Sequence, residues 1–248
     1  MLYITEGGNY PFVPHLLFLY LFIMSSGKKL VASKKLIDQT KLYPIEEAVV
    51  LAKQISYAKF DATLDINIKT TADPKYNDQM IRGTVVLPHG TGKAVRIAAF
   101  VSDDLIEEAR KAWADIVWNV DLLKDLESGK IDFDVLITTP TMIRDLAKVA
   151  KALGPKGLMP SPKAGTVTTD VTHTISEIKK GRVEFKLDKG GNIHLPVGKV
   201  SFGEQQLSEN ITAVIKAISD VKPAAIKAKL FKKIAISPTM WPSISLQY

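Results

Sequence analysis

Residues 154–169 constrain the fold of this chain more than any other stretch. Their sequence, GPKGLMPSPKAGTVTT, holds three prolines and three glycines, which excludes both a helix interior and a central strand. We expect Gly154 to end the helix before it, and Pro155 to prevent that helix from resuming. Composition alone therefore predicts a rigid surface loop that carries two cations, Lys156 and Lys163.

Length and composition are those of an ordinary globular protein. The 248 residues suffice for one large domain or two small ones, and 46% hydrophobic with 24% charged residues favours neither disorder nor a fibrous class. The absence of cysteine excludes a disulfide framework, a thiolate nucleophile and a cysteine zinc site. Because the four histidines show no spacing suited to a metal, we expect neither a cofactor nor a structural metal.

The charge of the chain is positive and unevenly distributed. A net charge of +7 and a pI near 9.3 favour an anionic partner, most simply nucleic acid. Residues 24–90 carry +3 and residues 182–248 carry +5, whereas residues 91–181 balance 13 basic against 13 acidic side chains. This distribution predicts one basic domain built from 24–90 and 182–248, with a neutral domain, 91–181, inserted into it.

Hydrophobic periodicity in the two basic parts predicts helices and half-buried strands. In order, these are a helix over 44–57, strands over 63–69, 81–87, 182–187 and 193–197, a helix over 204–219, and a strand over 230–237 followed by a turn and a terminal strand. The Asp-Lys-Gly-Gly sequence at 188–191 favours a reversal that joins the strands on either side into a hairpin. Its polar side would be an ordinary solvated face or an RNA-binding surface formed by Arg182, Glu184, Lys186 and His194.

The middle of the chain alternates between buried strands and helices, which predicts a small parallel sheet covered by helices. We expect strands over 95–101, 116–118 and 135–138, a helix capped by Ser102, a short helix near 122–127, a helix over 141–153 and a short helix near 174–180. The predicted fold class is α/β, with an α+β domain from the two ends of the chain and a Rossmann-like middle domain.

One pattern suggests a phosphate-binding loop, Gly90-Thr-Gly-Lys93. The full motif requires a glycine where the chain has Leu87 and a serine or threonine where it has Ala94. Since no Ser/His/Asp arrangement or metal spacing stands out either, we expect no enzyme. A nucleotide-binding enzyme that uses the middle domain stays as the alternative, because a fold by itself does not establish a function.

Several motifs, in the same order, resemble those of the large-subunit ribosomal protein L-one family of bacterial or organellar type. They are KFDAT at 59–63, DPKYNDQ at 73–79, RGTVVLPHGTGK at 82–93, GPKGLMPSPKAGTV at 154–167 and GKVSF at 198–202. The resemblance covers residues 24–248. It implies the two-domain fold of that family, with a discontinuous first domain that binds RNA.

The resemblance also implies partners and a location. Members of the family bind the lateral stalk of the large-subunit rRNA, near the site where deacylated tRNA leaves the ribosome, among other large-subunit components. Bacterial members bind their own mRNA as well and repress its translation. The expected location is the ribosome, in the cytoplasm or in an organelle.

The family motifs assign RNA-binding residues to matching positions of this chain. The lysines would contact phosphates, whereas Phe60, the hydroxyl groups and the Thr-Met turn would read the shape and the 2′-hydroxyls of a folded RNA. The complete set is Lys59, Phe60, Thr63, Lys186, Lys189, His194, Lys199, Ser201, Thr239 and Met240.

The closing turn departs from the family pattern. The family has Thr-Met-Gly-Pro, whereas this chain has Trp241 between Met240 and Pro242. Glycine permits close approach to a ligand and unusual dihedral angles, and tryptophan does neither easily. Two alternatives follow: Trp241 blocks the RNA, or its ring stacks on a base.

Residues 1–23 are expected to be an extension outside the core fold, because the stretch from Met24 resembles an ordinary start for this family. The apolar run at 16–24 is too short to span a bilayer, and the only charge before it is that of Glu6. We expect no membrane partner. Attachment to a membrane through residues 10–24 is a third alternative.

Overall fold

The computed structural model describes residues 27–38, 40–112, 114–118, 131–226 and 229–248. The chain divides into two compact units, Met1–Asp38 and Gln39–Tyr248. In the first unit the described residues form helix α1, Lys28–Lys35. The expected extension at residues 1–23 and the apolar run at 16–24 lie outside the described residues.

The second unit contains helices and strands in mixed order. Its helices are α2 (Ile45–Ile55), α3 (Ile106–Lys111), α4 (Ile143–Leu146), α5 (Ala150–Lys156), α6 (Val171–Lys179) and α7 (Glu204–Asp220). Its strands are β1 (Thr63–Thr70), β2 (Arg82–Val86), β3 (Ile97–Phe100), β4 (Ile116–Trp118), β5 (Val135–Thr138), β6 (Arg182–Lys186), β7 (Asn192–Lys199), β8 (Phe231–Pro238) and β9 (Ile244–Leu246). These elements confirm the predicted mixed α/β class.

Strands from both ends of the chain form an antiparallel sheet in the order β7-β1-β8-β9. In β1 the residues Leu64, Ile66 and Ile68 are fully buried, whereas the residues between them are only half-buried. Helices α2 and α7 contact one another and contact strands of this sheet. The alternation read from the sequence therefore reflects one apolar face under two helices and one polar face.

The predicted hairpin over 182–197 is wrong. β6 pairs with β2 in a separate two-stranded sheet, and β7 pairs with β1. The tight reversal does form, since the amide of Asp188 donates to the carbonyl of Asn192 at 2.8 Å. The ladder ends there because the next amide, that of Leu187, donates instead to the carbonyl of Ile81, the residue just before β2.

The middle of the chain forms a three-stranded parallel sheet in the order β4-β3-β5, as predicted. All four residues of β3 are buried, because apolar side chains cover both of its faces. The hydrophobic cluster on one face includes Leu136, Leu146 and Leu153, and the cluster on the other face includes Ile137 and Ile175. The helix expected near 122–127 lies outside the described residues.

The helix after β3 begins later than predicted. A 3₁₀ turn, Asp103–Leu105, comes first, and α3 begins only at Ile106. The carbonyl of Ser102 accepts the amide of Leu105 at 3.0 Å, so the residue expected as the helix cap begins the tighter turn instead.

The end of α5 also differs from the prediction. Gly154 lies inside the helix, and Gly157 is the left-handed residue that ends it, with φ of 72°. The amide of Gly157 donates to Gly154 at 3.0 Å and that of Leu158 donates to Leu153 at 3.1 Å, which is the Schellman pattern. Pro155 fits in the last turn, so the proline did not stop the helix before itself.

The chain passes twice between the terminal strands and the parallel sheet, and the two passages touch. A Cβ placed on Gly181 would lie 2.4 Å from the Cα of Gly90. The buried side chain of Asn210 holds the first passage: it accepts the amide of His89 at 3.2 Å and donates to the carbonyls of Gly90 at 3.1 Å and Val197 at 2.8 Å.

The two glycines of α5 are expected to respond to alanine with opposite signs. Gly154→Ala should raise the free energy of unfolding by about 0.5–1 kcal/mol, because alanine favours a helix and the space is open. Gly157→Ala should lower it by about 1–2 kcal/mol, because its φ of 72° strains any side chain. Denaturant titration of both variants measures the two effects, and stabilisation by Gly157→Ala would contradict the assignment of the helix end.

Candidate nucleic-acid interface

The polar face of the four-stranded sheet is built from alternate residues of each strand. From β1 it takes Thr63, Asp65, Asn67 and Lys69, which are half-buried or exposed. From β7 it takes His194, whose Cα is the register partner of Asn67. Of the residues predicted to bind RNA, Thr63, His194 and Lys199 lie on β1 and β7, and Lys199 is the register partner of Thr63 at one end of this face.

Two other predicted residues, Lys199 and Thr239, form hydrogen bonds to Thr63. The ammonium group of Lys199 donates to the Thr63 hydroxyl at 3.0 Å, and the two residues are register partners in the β1–β7 pair. The carbonyl of Thr63 accepts from the amide of Thr239 at 2.9 Å and from its hydroxyl at 3.1 Å. Three distant stretches of the chain thus meet at one end of β1.

Asp61 joins Ser201 to the same cluster. The Ser201 hydroxyl donates to one carboxylate oxygen of Asp61 at 2.8 Å, and the Ser201 amide donates to the other at 3.2 Å. The sequence prediction did not assign Asp61 a role, although it stands in the KFDAT motif. The signal available in the sequence was the position of this carboxylate between Phe60 and Thr63, two residues predicted to bind RNA. A carboxylate at such a position indicates a role in positioning its neighbours.

Two apolar side chains of the predicted set are exposed beside this cluster. Phe60 is 53% exposed and Met240 is 82% exposed. Met240 has φ of 71° and is the only non-glycine with positive φ among the described residues. The amide of Trp241 donates to Pro238 at 3.0 Å, which closes a tight turn around Met240. The turn therefore holds an apolar side chain in solvent at a backbone angle that favours glycine.

Trp241 does not adopt the backbone angle that would require glycine. Its ring packs against Tyr57, with 4.3 Å between ring centroids and 45° between ring planes, and the residue is half-buried. Within the described part of the chain, its Nε1 is buried without a hydrogen-bond partner. The substitution of the family glycine is thus accommodated by packing against the segment that precedes Lys59.

Three other predicted residues lie away from Thr63. His194 Nδ1 is 2.7 Å from Asn67 Oδ1, near the middle of β1. Lys189 is exposed in the turn beyond the opposite end of β1, where the carbonyl of Gly191 accepts the amide of Thr70 at 3.0 Å. Lys186 is exposed on β6 and belongs to the separate two-stranded sheet. Because β1 is about 23 Å long at roughly 3.3 Å per residue, Lys189 lies far from the Thr63 cluster. Lys186 lies outside that cluster because it belongs to the other sheet.

Two carboxylates near this face have shifted pKa values. Burial raises the pKa of Asp65, against the opposing influence of His194 and Lys199. Hydrogen bonds, first from the amide of Asn192 and also from its side chain and the amide of Gly190, lower the pKa of Asp188. Burial thus disfavours the charged form of Asp65, and hydrogen bonds stabilise the charged form of Asp188.

Among the residues that the structure describes, no group of three or more histidine, cysteine, aspartate or glutamate side chains is arranged to hold a metal ion. Those same residues include no helix long and apolar enough to cross a membrane.

The opposite pKa shifts predict opposite pH dependences. Asp65 makes the folded state bind protons more tightly than the unfolded state, so its contribution to stability falls as pH rises above the unfolded value of 3.8 through its folded pKa. Asp65→Asn should therefore raise the unfolding midpoint at pH 7, an advantage that fades as the pH is lowered toward 3.8. Asp188→Ala should lower the midpoint at pH 7, with a difference that shrinks as acid protonates the native carboxylate. Thermal unfolding from pH 3 to 8 measures both, and a lower midpoint for Asp65→Asn at pH 7 would contradict the role of burial.

Comparison with known proteins places the chain in a family. A family model described as "Ribosomal protein L1p/L10e family" matches residues 52–242. A relative, "Large ribosomal subunit protein uL1" of Kosmotoga olearia, is 47% identical over 222 residues, which cover 90% of this chain and 96% of the relative. The chain therefore belongs to the ribosomal protein L1p/L10e family.

Proposed function

We propose that the chain is a structural component of the large ribosomal subunit and that it binds the lateral stalk of the large rRNA. The observation that carries this proposal is the Thr63 cluster, in which Lys199, Ser201 and Thr239 are fixed around one end of the polar sheet face. The name of the relative, a large ribosomal subunit protein, supports the same conclusion.

The cluster offers the chemistry that a folded RNA requires. Lys199, and the exposed Lys59 two residues before Asp61, supply positive charge for phosphates. Fixed hydroxyl groups supply donors and acceptors for 2′-hydroxyls. Exposed Phe60 and Met240 supply apolar surface for unstacked bases. Because Lys199, Ser201 and Thr239 are already hydrogen-bonded to the protein, little side-chain freedom is lost on binding.

We also propose the domain division expected from charge. Residues 24–90 and 182–248 form the RNA-binding domain, and residues 91–181 form the inserted domain. The separate antiparallel and parallel sheets support this division. The inserted domain has no net charge, so it contributes little to the attraction of RNA.

The remaining roles extend the same interface. On the ribosome the protein lies near the site where deacylated tRNA leaves, among other large-subunit components, in the cytoplasm or in an organelle. A similar fold in its own mRNA would compete for the Thr63 cluster, so that excess protein represses its own translation. The function is non-catalytic and uses neither a cofactor nor a membrane.

One observation favours the alternative, a nucleotide-binding enzyme. A cavity of about 580 Å³ is lined by Gly90, Gly92 and Lys93. Two features weigh against it. The motif leads from β2 into β3 and not from a strand into a helix, and the ammonium group of Lys93 is paired with Asp134 at 2.7 Å. Calorimetry that detects no nucleotide binding removes this alternative.

Phe60→Ala is expected to weaken binding to a stalk rRNA fragment by roughly tenfold to a hundredfold, because stacking on an aromatic ring contributes about 1–3 kcal/mol per base. Binding is measured against a scrambled hairpin of equal length at several salt concentrations. Tyr76→Ala is the matched control, since Tyr76 is an aromatic of similar exposure, 57%, outside the cluster.

The unmodified protein should prefer the stalk fragment, and this preference should persist as salt rises. Equal affinities for both RNAs that collapse together with salt would mean counterion-driven binding only, and would overturn the proposal.

Trp241→Gly tests both alternatives for this side chain, blocking of RNA and stacking on a base. Because the ring packs against Tyr57, we expect the variant to keep its preference for the stalk fragment and to lose about 1 kcal/mol of stability. Tighter RNA binding would show that the ring blocks RNA. Weaker binding by a fully folded variant would show that the ring stacks on a base.

A further inference from the structure

The last part of the chain carries positive charges that do not belong to the Thr63 cluster. Five lysines and no acidic residue follow Asp220. Three of the five, Lys229, Lys232 and Lys233, are exposed and line a cavity of about 360 Å³. The cavity lies where β8 begins, at the opposite end of the sheet from Thr63, because β1 and β8 are antiparallel.

Like charges face one another across the strands at this end. Lys69 of β1 and Lys233 of β8 are register partners, and both are exposed on the polar face. Identical charges directly opposite one another destabilise a sheet. In the described residues, no carboxylate forms an ion pair with Lys69, Lys229, Lys232 or Lys233. A bound anion would relieve this repulsion.

One of the cations is held in place by an aromatic ring. The ammonium nitrogen of Lys229 lies 4.6 Å from the centroid of the Tyr248 ring. The Tyr248 hydroxyl donates to the carbonyl of Phe231 at 2.6 Å, and the two rings meet edge to face at 5.7 Å. The Thr71 hydroxyl donates to the carbonyl of Lys229 at 3.0 Å, which anchors the backbone of the lysine.

We propose that Lys69, Lys229, Lys232 and Lys233 form a second RNA contact that binds backbone phosphates of the same RNA molecule. This inference rests on the proposed function and extends its interface to the end of the sheet where β8 begins. Lysines interact with phosphates as point charges, so this site adds affinity and fixes orientation without reading sequence or shape. The Thr63 cluster then discriminates between RNAs, and the lysines at the other end of the sheet cause much of the salt dependence of binding.

The test replaces Lys229, Lys232 and Lys233 together by glutamine. Each lost phosphate contact should reduce the slope of log affinity against log salt concentration by about 0.7–0.9, hence by about 2–3 for the triple variant. Affinity for the stalk fragment at low salt should fall roughly tenfold to a hundredfold. The preference for the stalk fragment over the scrambled hairpin should not change.

A charge-matched control replaces Lys111, Lys151 and Lys216 by glutamine. These exposed lysines lie on α3, α5 and α7, outside the polar face of the sheet, and their loss changes the net charge equally. The control should keep the original salt slope. Lysine-to-arginine replacement at the three proposed positions should keep it as well, because the charge is retained.

A salt slope of the triple variant equal to that of the control would overturn the inference. Its failure is distinguishable from failure of the proposed function, which shows as equal binding of the unmodified protein to both RNAs. The slope comparison stays decisive in that case, since it can be made with either RNA. If thermal unfolding shows that the triple variant is not folded, Lys233→Gln alone should reduce the slope by about 1, and an unchanged slope would reject the site.

Discussion

The central position of β1 is the constraint on which the rest of the structure depends. Its backbone pairs on one side with β7 and on the other with β8, each more than 120 residues away in sequence. These pairings leave Leu64, Ile66 and Ile68 under helices and leave their neighbours on the open face. A shift of the register by one residue would exchange the two faces and dissolve both the core and the Thr63 cluster. One face of β1 therefore forms part of the core, and its other face forms part of the proposed interface.

Most of the secondary structure was predictable because it follows from local patterns. The alternation over 63–69 indicated a half-buried strand, and the apolar run around Ile97 indicated a fully buried one. The hairpin was not predictable, because alternation shows that a strand is half-buried but does not identify its partner. Gly154 and Gly157 differ by their place in a hydrogen-bond pattern, which the presence of a proline between them obscured.

The candidate site was predictable only through the motifs that resemble the family. Nothing local to Lys199 indicates that its ammonium group reaches Thr63, which is 136 residues earlier in the chain. Asp61 was overlooked because a carboxylate is an unexpected member of an anion-binding surface, and its role depends on the distant Ser201. The effect of Trp241 likewise depends on Tyr57, a residue far earlier in the chain.

The touching passages at Gly90 and Gly181 have a consequence for how such a chain can evolve. Gly90 and Gly181 flank residues 91–180 and lie against one another, so the two ends of this stretch are adjacent in space. The entropy of closing a loop grows only with the logarithm of its length. This stretch can therefore lengthen or shorten at small entropic cost, provided that positions 90 and 181 both remain glycine.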